Sequence, residues 1–324
     1  MKFFNALVNS RAMHNFITDV NNGNIGHAYM LITPDKDVVE EFFTIMACAV
    51  YCPNGICLKC DECKKISDGN NANVKFIRND AKQSIGVETV KELTEDSVIR
   101  PYEKGRKFYF IPNAEKMTIQ AQNKLLKTIE EPSEYVTIVL GASSEGMMLN
   151  TVISRVKKLY LDYFDAETIA SALHELYPTA DTEFAVGFAN GQLGRANMIA
   201  NDLDFKTLYD NAFDMLISLK KSADVAKFVR NPYFARDKIG ETLDVIELIM
   251  RDIIALDAGC PELAASLTKM KELDTIRETF SIASATAVND VIGETRERLR
   301  VNCDSETLAE RLLFKILEVK YLCR

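Results

Sequence analysis

Four cysteines within one short stretch of the chain have the spacing of a metal site. Cys52, Cys57, Cys60 and Cys63 contain two Cys-x-x-Cys steps that share Cys60. Such spacings let four thiolate sulfurs converge on one tetrahedral centre, as structural zinc requires. Because four thiolates fill the coordination shell, we predict one structural rather than catalytic zinc ion per chain. A redox pair would need only two cysteines, and two disulfides are disfavoured in a reducing compartment.

The other four cysteines are isolated in the sequence: Cys48, Cys260, Cys303 and Cys323. Isolated cysteines are most often buried, and they behave as small hydrophobic residues. We therefore predict that these four cysteines are packing residues in the core.

The composition is that of an ordinary globular protein with an acidic balance. The 324 residues include 39 basic and 47 acidic side chains, which gives a net charge of -8. This balance argues against a protein that binds nucleic acid alone over a broad surface, because that mode relies on clustered Lys and Arg. At about 100 to 200 residues per domain, the length predicts two or three domains.

Neither a membrane span nor a targeting segment is predicted. The longest nearly apolar run, residues 42–52, is about half of the ~20 residues that a spanning helix needs. The first residues lack the apolar core and the small-residue cleavage site of a signal peptide. We therefore expect a cytoplasmic protein that does not associate with membranes.

The first half of the sequence alternates strand-like and helical segments, which is typical of a parallel sheet flanked by helices. The strand-like runs are residues 28–32, 74–77, 107–111, 136–140 and 156–161. The helical segments between them are residues 38–50, 87–99 and 119–129. Beyond residue 165 the strand signal ends, and short helices are predicted at residues 165–176, 182–190 and 195–201.

The last third of the sequence carries longer amphipathic helices. One apolar stripe, with steps of four, three, four and three residues, predicts a helix that faces the core. Its members are Ile239, Leu243, Ile246, Met250 and Ile253. A final helix, which Asp304 or Ser305 would cap, is predicted to bury Leu308, Leu312, Ile316 and Val319.

The loop after the first predicted strand lacks the features of a phosphate-binding loop. A P-loop needs glycines whose N–H groups surround the phosphates, a Lys that reaches them, and a Ser or Thr for magnesium. Residues 33–40 contain no glycine, and their acidic side chains would repel a triphosphate, which Lys36 alone does not offset. The third strand ends in Pro112 and Asn113 instead of a carboxylate that holds a metal ion. We therefore expect this chain to bind no ATP, although its topology suggests a nucleotide-binding ancestor.

Several motifs resemble those of one protein family, in the order that the family has them. They are residues 27–31 (HAYML), the four-cysteine segment, and residues 85–93 (IGVETVKEL), 113–132 (NAEKMTIQAQNKLLKTIEEP) and 149–155 (LNTVISR). Together they resemble the AAA+ clamp-loader subunits of bacterial replicases, strongly over about residues 5–165. The rest agrees more weakly, through residues 191–196 and 302–313. The resemblance is greatest to the members whose P-loop is degraded, and it implies an AAA+ fold.

The resemblance also implies a role for one arginine. In clamp loaders a Ser-Arg-Cys motif places its Arg in the ATP site of the neighbouring subunit, as an arginine finger in trans. Here the motif is Ser154-Arg155-Val156, so the Arg is kept and the Cys is replaced. A guanidinium suits this task because it is permanently charged and presents a planar fork of donors to the γ-phosphate. The sequence pattern alone leaves open a salt bridge between Arg155 and a carboxylate at a strand edge.

Other positions correspond to functional positions in active relatives, but this sequence lacks the phosphate-binding loop beside which they act. Arg195 lies where such relatives place a nucleotide sensor, and we expect a surface or packing role for it. Ser143 and Ser144 lie where they keep a polar sensor, and we expect only a turn. Lys124 and Lys127 either touch DNA phosphate inside an assembled ring or belong to a solvated helix face.

The predicted architecture has three parts. Residues 1–165 form a RecA-like AAA+ α/β domain, which includes a zinc module at about residues 48–66. Residues 166–206 form a helical lid, and residues 207–324 form a helical collar domain. The resemblance implies that the collar holds the chain in a pentameric ring with an ATPase subunit and the delta subunit. Through that complex, the sliding clamp and primed DNA are the expected partners.

The leading hypothesis is a clamp-loader subunit without ATPase activity of its own. It would act as a stator and complete the neighbour's ATP site with Arg155. One alternative is a self-sufficient AAA+ ATPase with an unusual phosphate loop. A second alternative is a zinc-dependent DNA-binding module, although the cysteine segment lacks a flanking basic helix.

Overall fold

The computed structural model describes residues 1–78, 84–101, 105–180, 182–300 and 303–322, and it divides the chain into two compact units. The N-terminal unit comprises Met1–Ala172 with Gly191–Gly194, and the C-terminal unit comprises Leu173–Asn190 with Arg195–Arg324. The predicted three-part division at residues 165 and 206 stays a prediction. Among the described residues, no helix has the length and apolar character that crossing a membrane requires.

The N-terminal unit contains the predicted parallel sheet. Its five strands are β1 (Ala28–Ile32), β2 (Val74–Phe76), β3 (Lys107–Ile111), β4 (Val136–Ala142) and β5 (Lys157–Tyr160). They lie in the order β2-β3-β4-β1-β5, and every pair is parallel. In the central pair, β1 and β4 are in register from Ala28 opposite Ile138 to Ile32 opposite Ala142. The predicted α/β fold class, a parallel sheet with helices that is followed by further helices, is therefore confirmed.

Of the helices that accompany the sheet, those over residues 39–51, 87–97, 119–130 and 166–176 match predicted segments within a few residues, and the others were not predicted. The helices of this unit are α1 (Phe4–Val8), α2 (Arg11–Asn21), α3 (Val39–Tyr51), α4 (Asp61–Ser67), α5 (Val87–Ser97), α6 (Ile119–Glu130), α7 (Asn150–Ile153) and the start of α8 (Ala166–Leu176). Helix α6 begins after Thr118, whose hydroxyl accepts the N–H of Ala121. It ends at Glu130 because Pro132 lacks an N–H and cannot continue a helix.

Side chains from both faces of the sheet form the core of this unit. Successive residues of a strand point to opposite faces, so strands buried on both sides are apolar almost throughout. On one face, Phe43 of α3 stacks on Phe110 of β3 with ring centroids 5.0 Å apart. On the other face, Leu93 of α5 and Leu125 of α6 pack in one buried cluster with Tyr109 of β3. This packing fixes the loops at the carboxyl ends of the strands.

The C-terminal unit is helical in its described residues. After the end of α8 it contains α9 (Glu183–Phe188), most of α10 (Leu193–Ala200), α11 (Leu203–Ser218), α12 (Ser222–Phe228), α13 (Ile239–Asp257), α14 (Met270–Arg277), α15 (Ile282–Arg300) and α16 (Ser305–Leu322). Helix α13 packs against α11, α14 and α15.

The predicted apolar stripe of α13 is buried along its whole length, which confirms that prediction. Helix α16 begins after Asp304, whose carboxylate accepts the N–H of Thr307 at 2.8 Å. Leu308, Leu312 and Ile316 are buried as predicted, whereas Val319 is only half-buried.

Candidate functional site

The four clustered cysteines converge in the structure. The sulfur atoms of Cys52, Cys57, Cys60 and Cys63 all lie within 4.8 Å of one another, and all four are free thiols. The Cys52 sulfur is 3.4 Å from that of Cys57 and 3.7 Å from that of Cys60. Sulfurs bound to zinc at about 2.3 Å stand about 3.8 Å apart at the corners of a tetrahedron. The cluster therefore has the donor set and the spacing to hold a metal ion of this kind.

Local backbone geometry brings these cysteines together. Helix α3 ends at Cys52, and α4 begins after Cys60, whose sulfur accepts the N–H of Cys63 at 3.5 Å. Between the two helices, Gly55 turns the chain with φ +67°, a conformation that glycine adopts without steric cost. A metal ion bound there would tie the end of α3 to the start of α4.

Electrostatic surroundings differ among the four thiols. The backbone N–H groups of Lys59 and Cys60 lower the pKa of Cys57 to about 6, so its thiolate is available near neutral pH. Burial raises the pKa of Cys63, because desolvation disfavours the thiolate. A bound cation provides the charge that a buried thiolate needs.

The isolated cysteines follow the prediction only in part. Cys48 is fully buried, as predicted. Cys260 is half-buried and Cys303 is exposed, so the prediction of burial is wrong for both. Each follows the end of a long helix, and connecting segments run over the surface. Cys323 lies outside the described residues.

A second polar cluster lies where β1, β3 and β4 end, at the edge of the sheet where ligands bind in α/β folds. The ammonium group of Lys36 pairs with one carboxylate oxygen of Glu115. The other oxygen of Glu115 accepts the backbone N–H of Ser143 at 2.8 Å and also its hydroxyl. Ser143 therefore does more than form the predicted turn. Glu115 was not predicted as a site residue, although its place four residues beyond β3 is a signal for a polar site residue.

Opposing effects act on the ionisation of Glu115. Burial raises its pKa, but the Lys36 ammonium and the two donors of Ser143 outweigh burial and lower it overall. Glu115 is thus held as a carboxylate, and the only lysine of the loop after β1 is committed to it. A lysine engaged in this way is not available to a bound phosphate.

Asp35 places a buried carboxylate in the same loop. Its side chain accepts the backbone N–H of Gly194 at 2.9 Å, and residue 194 lies in the first turn of α10, where N–H groups lack helical partners. A Cβ at position 194 would lie 2.5 Å from a carboxylate oxygen of Asp35, so only glycine allows this approach. Burial raises the pKa of Asp35 and outweighs the N–H donors, which lower it. The loop after β1 is therefore occupied by a carboxyl group of the chain itself.

Replacing Glu115 with Ala is expected to destabilise the N-terminal unit by about 3 kcal/mol, because it removes two hydrogen bonds from Ser143 to a charged acceptor, each of which contributes about 1.5 kcal/mol or more. The half-exposed Lys36 adds little to this loss. Urea unfolding followed by circular dichroism measures the change. The matched control is Glu88→Ala, which removes a carboxylate that is 82% exposed, and its cost should stay below about 1 kcal/mol. Equal effects of the two variants would contradict the assigned role of Glu115.

Arg155 lies between α7 and β5, and it forms a salt bridge. Its Nε atom is 2.7 Å from a carboxylate oxygen of Glu130, and the arginine side chain is 40% exposed. Its Nη1 atom donates to the carbonyl of Thr151 at 3.0 Å and to the Ser154 hydroxyl at 3.1 Å. The structure therefore contains the salt bridge that the sequence pattern left open. The arginine-finger role stays a prediction.

The other predicted positions have simpler surroundings. In the C-terminal unit, Arg195 lies 3.3 Å from Asp244 of α13, which also pairs with Arg296 of α15 at 2.7 Å. This contact agrees with the packing role expected for Arg195. Lys127 is exposed and Lys124 is half-buried, and a contact with DNA stays a prediction for both.

The chain is similar to known subunits of bacterial DNA polymerase III. Residues 8–165 match the family model described as DNA polymerase III, delta subunit. The delta′ subunit of DNA polymerase III from Bacillus subtilis is 22% identical over 319 residues, which cover 95% of this chain and 96% of that protein. The chain is thus similar to a delta′ subunit over nearly the whole length of both proteins. The predicted resemblance to bacterial clamp-loader subunits is thereby confirmed.

A match to another subunit of the same polymerase is more partial. The tau subunit of DNA polymerase III from Escherichia coli is 28% identical over 158 residues, which cover 48% of this chain and 24% of tau. This delta′-like chain therefore spans about a quarter of tau, in contrast to nearly all of the Bacillus protein. Among solved structures, a gamma subunit-related protein of Thermotoga maritima aligns with a TM-score of 0.47 and 15% identity, over 95% of this chain and 99% of that one.

Proposed function

We propose that this chain is a clamp-loader subunit that does not hydrolyse ATP itself and that completes the ATP site of a neighbouring subunit. The observation that carries the first half of this proposal is the filled loop after β1. In that loop Lys36 is paired with Glu115, and the carboxylate of Asp35 accepts a backbone N–H where a phosphate would be expected to bind. The N–H of Gly194 and the ammonium group of Lys36 are thus already engaged, so neither is free to bind a triphosphate.

The second half of the proposal concerns Arg155. Its guanidinium is 40% exposed and is held by Glu130 and the carbonyl of Thr151, so it is oriented at the surface before any partner binds. Exposed ion pairs contribute only about 0 to 1 kcal/mol. Breaking the ion pair with Glu130, so that Arg155 can contact the γ-phosphate of a neighbour's ATP, therefore costs little free energy. In this role the arginine stabilises charge that develops in the transition state.

The remaining elements of the proposal follow from the resemblance. The chain acts as a stator in a pentameric ring with an ATPase subunit and the delta subunit, and the ring loads the sliding clamp on primed DNA in the cytoplasm. The cysteine cluster holds one structural zinc ion, and four sulfur ligands leave no open position for catalysis. The helices from residue 207 onward form the collar, and residues 166–206 form the lid.

Nucleotide binding by the isolated chain tests this proposal. We expect no saturable ATP binding up to millimolar concentration, measured by calorimetry with the zinc-loaded chain and magnesium. Micromolar affinity for ATP would favour the self-sufficient ATPase and overturn the proposal. Tight, salt-sensitive binding of DNA by the monomer would favour the DNA-binding module instead.

A further inference from the structure

A cavity in the C-terminal unit is lined by three arginines. It has a volume of about 400 Å³, and residues of α9, α10, α13 and α15 form its walls. Cavities of this size hold small ligands. The charged residues of the walls, which give them a net charge of +1, are Arg195, Arg251, Arg296, Asp244 and Glu247. This arginine-lined cavity therefore favours an anion over a cation.

Two of the arginines are held in place by the acidic residues. The Nη2 atom of Arg195 lies 3.3 Å from one carboxylate oxygen of Asp244. The Nη2 atom of Arg296 lies 2.7 Å from the other oxygen of Asp244, and it also pairs with Glu247. A guanidinium carries five N–H donors. These ion pairs therefore orient both arginines and leave N–H donors for a ligand.

Arg251 contributes a charge that the carboxylates of the cavity do not neutralise. It lies one helical turn after Glu247 on α13, and its side chain is exposed. Within the described part of the chain, no carboxylate forms a salt bridge with Arg251, in contrast to the other two arginines. A guanidinium is permanently charged, and its planar fork of donors matches the oxygens of a phosphate.

Asn289 of α15 adds an acceptor to the same cavity. Its side-chain oxygen is buried and has no hydrogen-bond partner among the described residues. A buried acceptor that lacks a donor costs free energy, so an N–H or O–H group of a ligand would be stabilised there. Phosphate combines the two features that the cavity calls for, since its oxygens accept from arginines and it keeps an O–H near neutral pH. Sulfate has a similar size and shape but no proton to donate.

We propose that the arginine-lined cavity binds one phosphoryl group, either as free phosphate or as the ester of a small hydroxylated molecule. Arg251 and Arg296 donate to the phosphate oxygens, and Asn289 accepts from a hydroxyl group of the ligand. Asp244 and Glu247 limit the negative charge that the walls accept, so a triphosphate is disfavoured. This site lies in the C-terminal unit and goes beyond the function proposed above.

Calorimetric titration of the full chain, at constant ionic strength, tests the site with two probes. Inorganic phosphate represents the free anion, and ribose 5-phosphate represents the ester. We expect saturable binding of one molecule per chain, and the probe that binds more tightly identifies the source of the phosphoryl group. Arg251→Gln should lower that affinity about tenfold or more, because it removes charge-assisted hydrogen bonds. Arg277→Gln is the matched control, since Arg277 pairs with Asp257 in the same unit outside the cavity.

A comparison of anions tests the role of Asn289. The wild-type chain should bind phosphate more tightly than sulfate, and Asn289→Leu should remove this preference. Circular dichroism verifies that each variant is folded. Lack of saturable binding of both probes to the wild type would overturn the proposal, and so would an unchanged affinity in Arg251→Gln. Equal affinities of the wild type for phosphate and sulfate would overturn the donor-bearing ligand.

The outcome is independent of the proposed function. ATP bound at the loop after β1 would not respond to Arg251→Gln, because that loop belongs to the N-terminal unit. Each proposal can therefore fail without the other.

Discussion

Arg155→Ala is expected to slow ATP hydrolysis in the reconstituted clamp loader while folding and ring assembly stay intact. Arginine fingers contribute about 10³-fold or more to turnover, so the loss at the ATP site facing this chain should be of that order. Folding should be unaffected because the side chain is 40% exposed and its partner Glu130 is also at the surface. Single-turnover hydrolysis by the assembled complex measures the effect, and gel filtration checks assembly.

Two companion variants sharpen the interpretation of this experiment. Arg155→Lys keeps the charge but lacks the planar fork of donors, and we expect it to restore little activity. Arg78→Ala is the matched control, because Arg78 forms a comparable exposed pair with Glu40 at 2.9 Å in the same unit. Full hydrolysis in Arg155→Ala would refute the arginine finger, and Arg155 would then serve only its salt bridge with Glu130.

Cys60→Ser is expected to abolish stoichiometric zinc binding and to destabilise the N-terminal unit by several kcal/mol. Binding free energy at a structural zinc site is folding free energy, because the unfolded chain has no preformed site. Cys60 has a large expected effect because its sulfur also accepts the N–H of Cys63 at the start of α4. Elemental analysis and urea unfolding, with and without a chelator, measure the two losses.

The control for this substitution is Cys303→Ser. Cys303 is an exposed cysteine in the connection that precedes α16, and surface substitutions usually change stability by less than about 0.5 kcal/mol. A stable wild-type chain that contains no zinc would contradict both the metal site and its contribution to folding.

The sequence predicts the features that depend on neighbouring residues. Strands β1 and β3 were predicted at their observed bounds, because each is a short apolar run between turn-forming residues. Strand β4 continues two residues beyond its predicted end at 140, through Gly141. Glycine weakens a strand signal, and here it allows a close approach, since a Cβ would collide with the carbonyl of Pro112. The cysteine cluster was predictable because all of its spacing is local.

Features that depend on distant residues were not predictable. The carboxylate of Asp35 meets the N–H of Gly194, which is 159 positions away in the chain. Glu115 meets Ser143 across 28 positions. No periodic pattern connects such residues, and their pairing follows only from the sheet that brings the strand ends together.

The contact between Asp35 and Gly194 also bears on how such a chain evolves. Loss of the aspartate would leave the backbone N–H of residue 194 without its acceptor, yet it would supply none of the glycines that a phosphate loop requires. A lineage that returned to nucleotide binding would have to pass through a less stable intermediate, with several changes needed together. Under the proposed function, this contact opposes the stepwise return of a phosphate-binding loop and so favours the permanent specialisation of the chain.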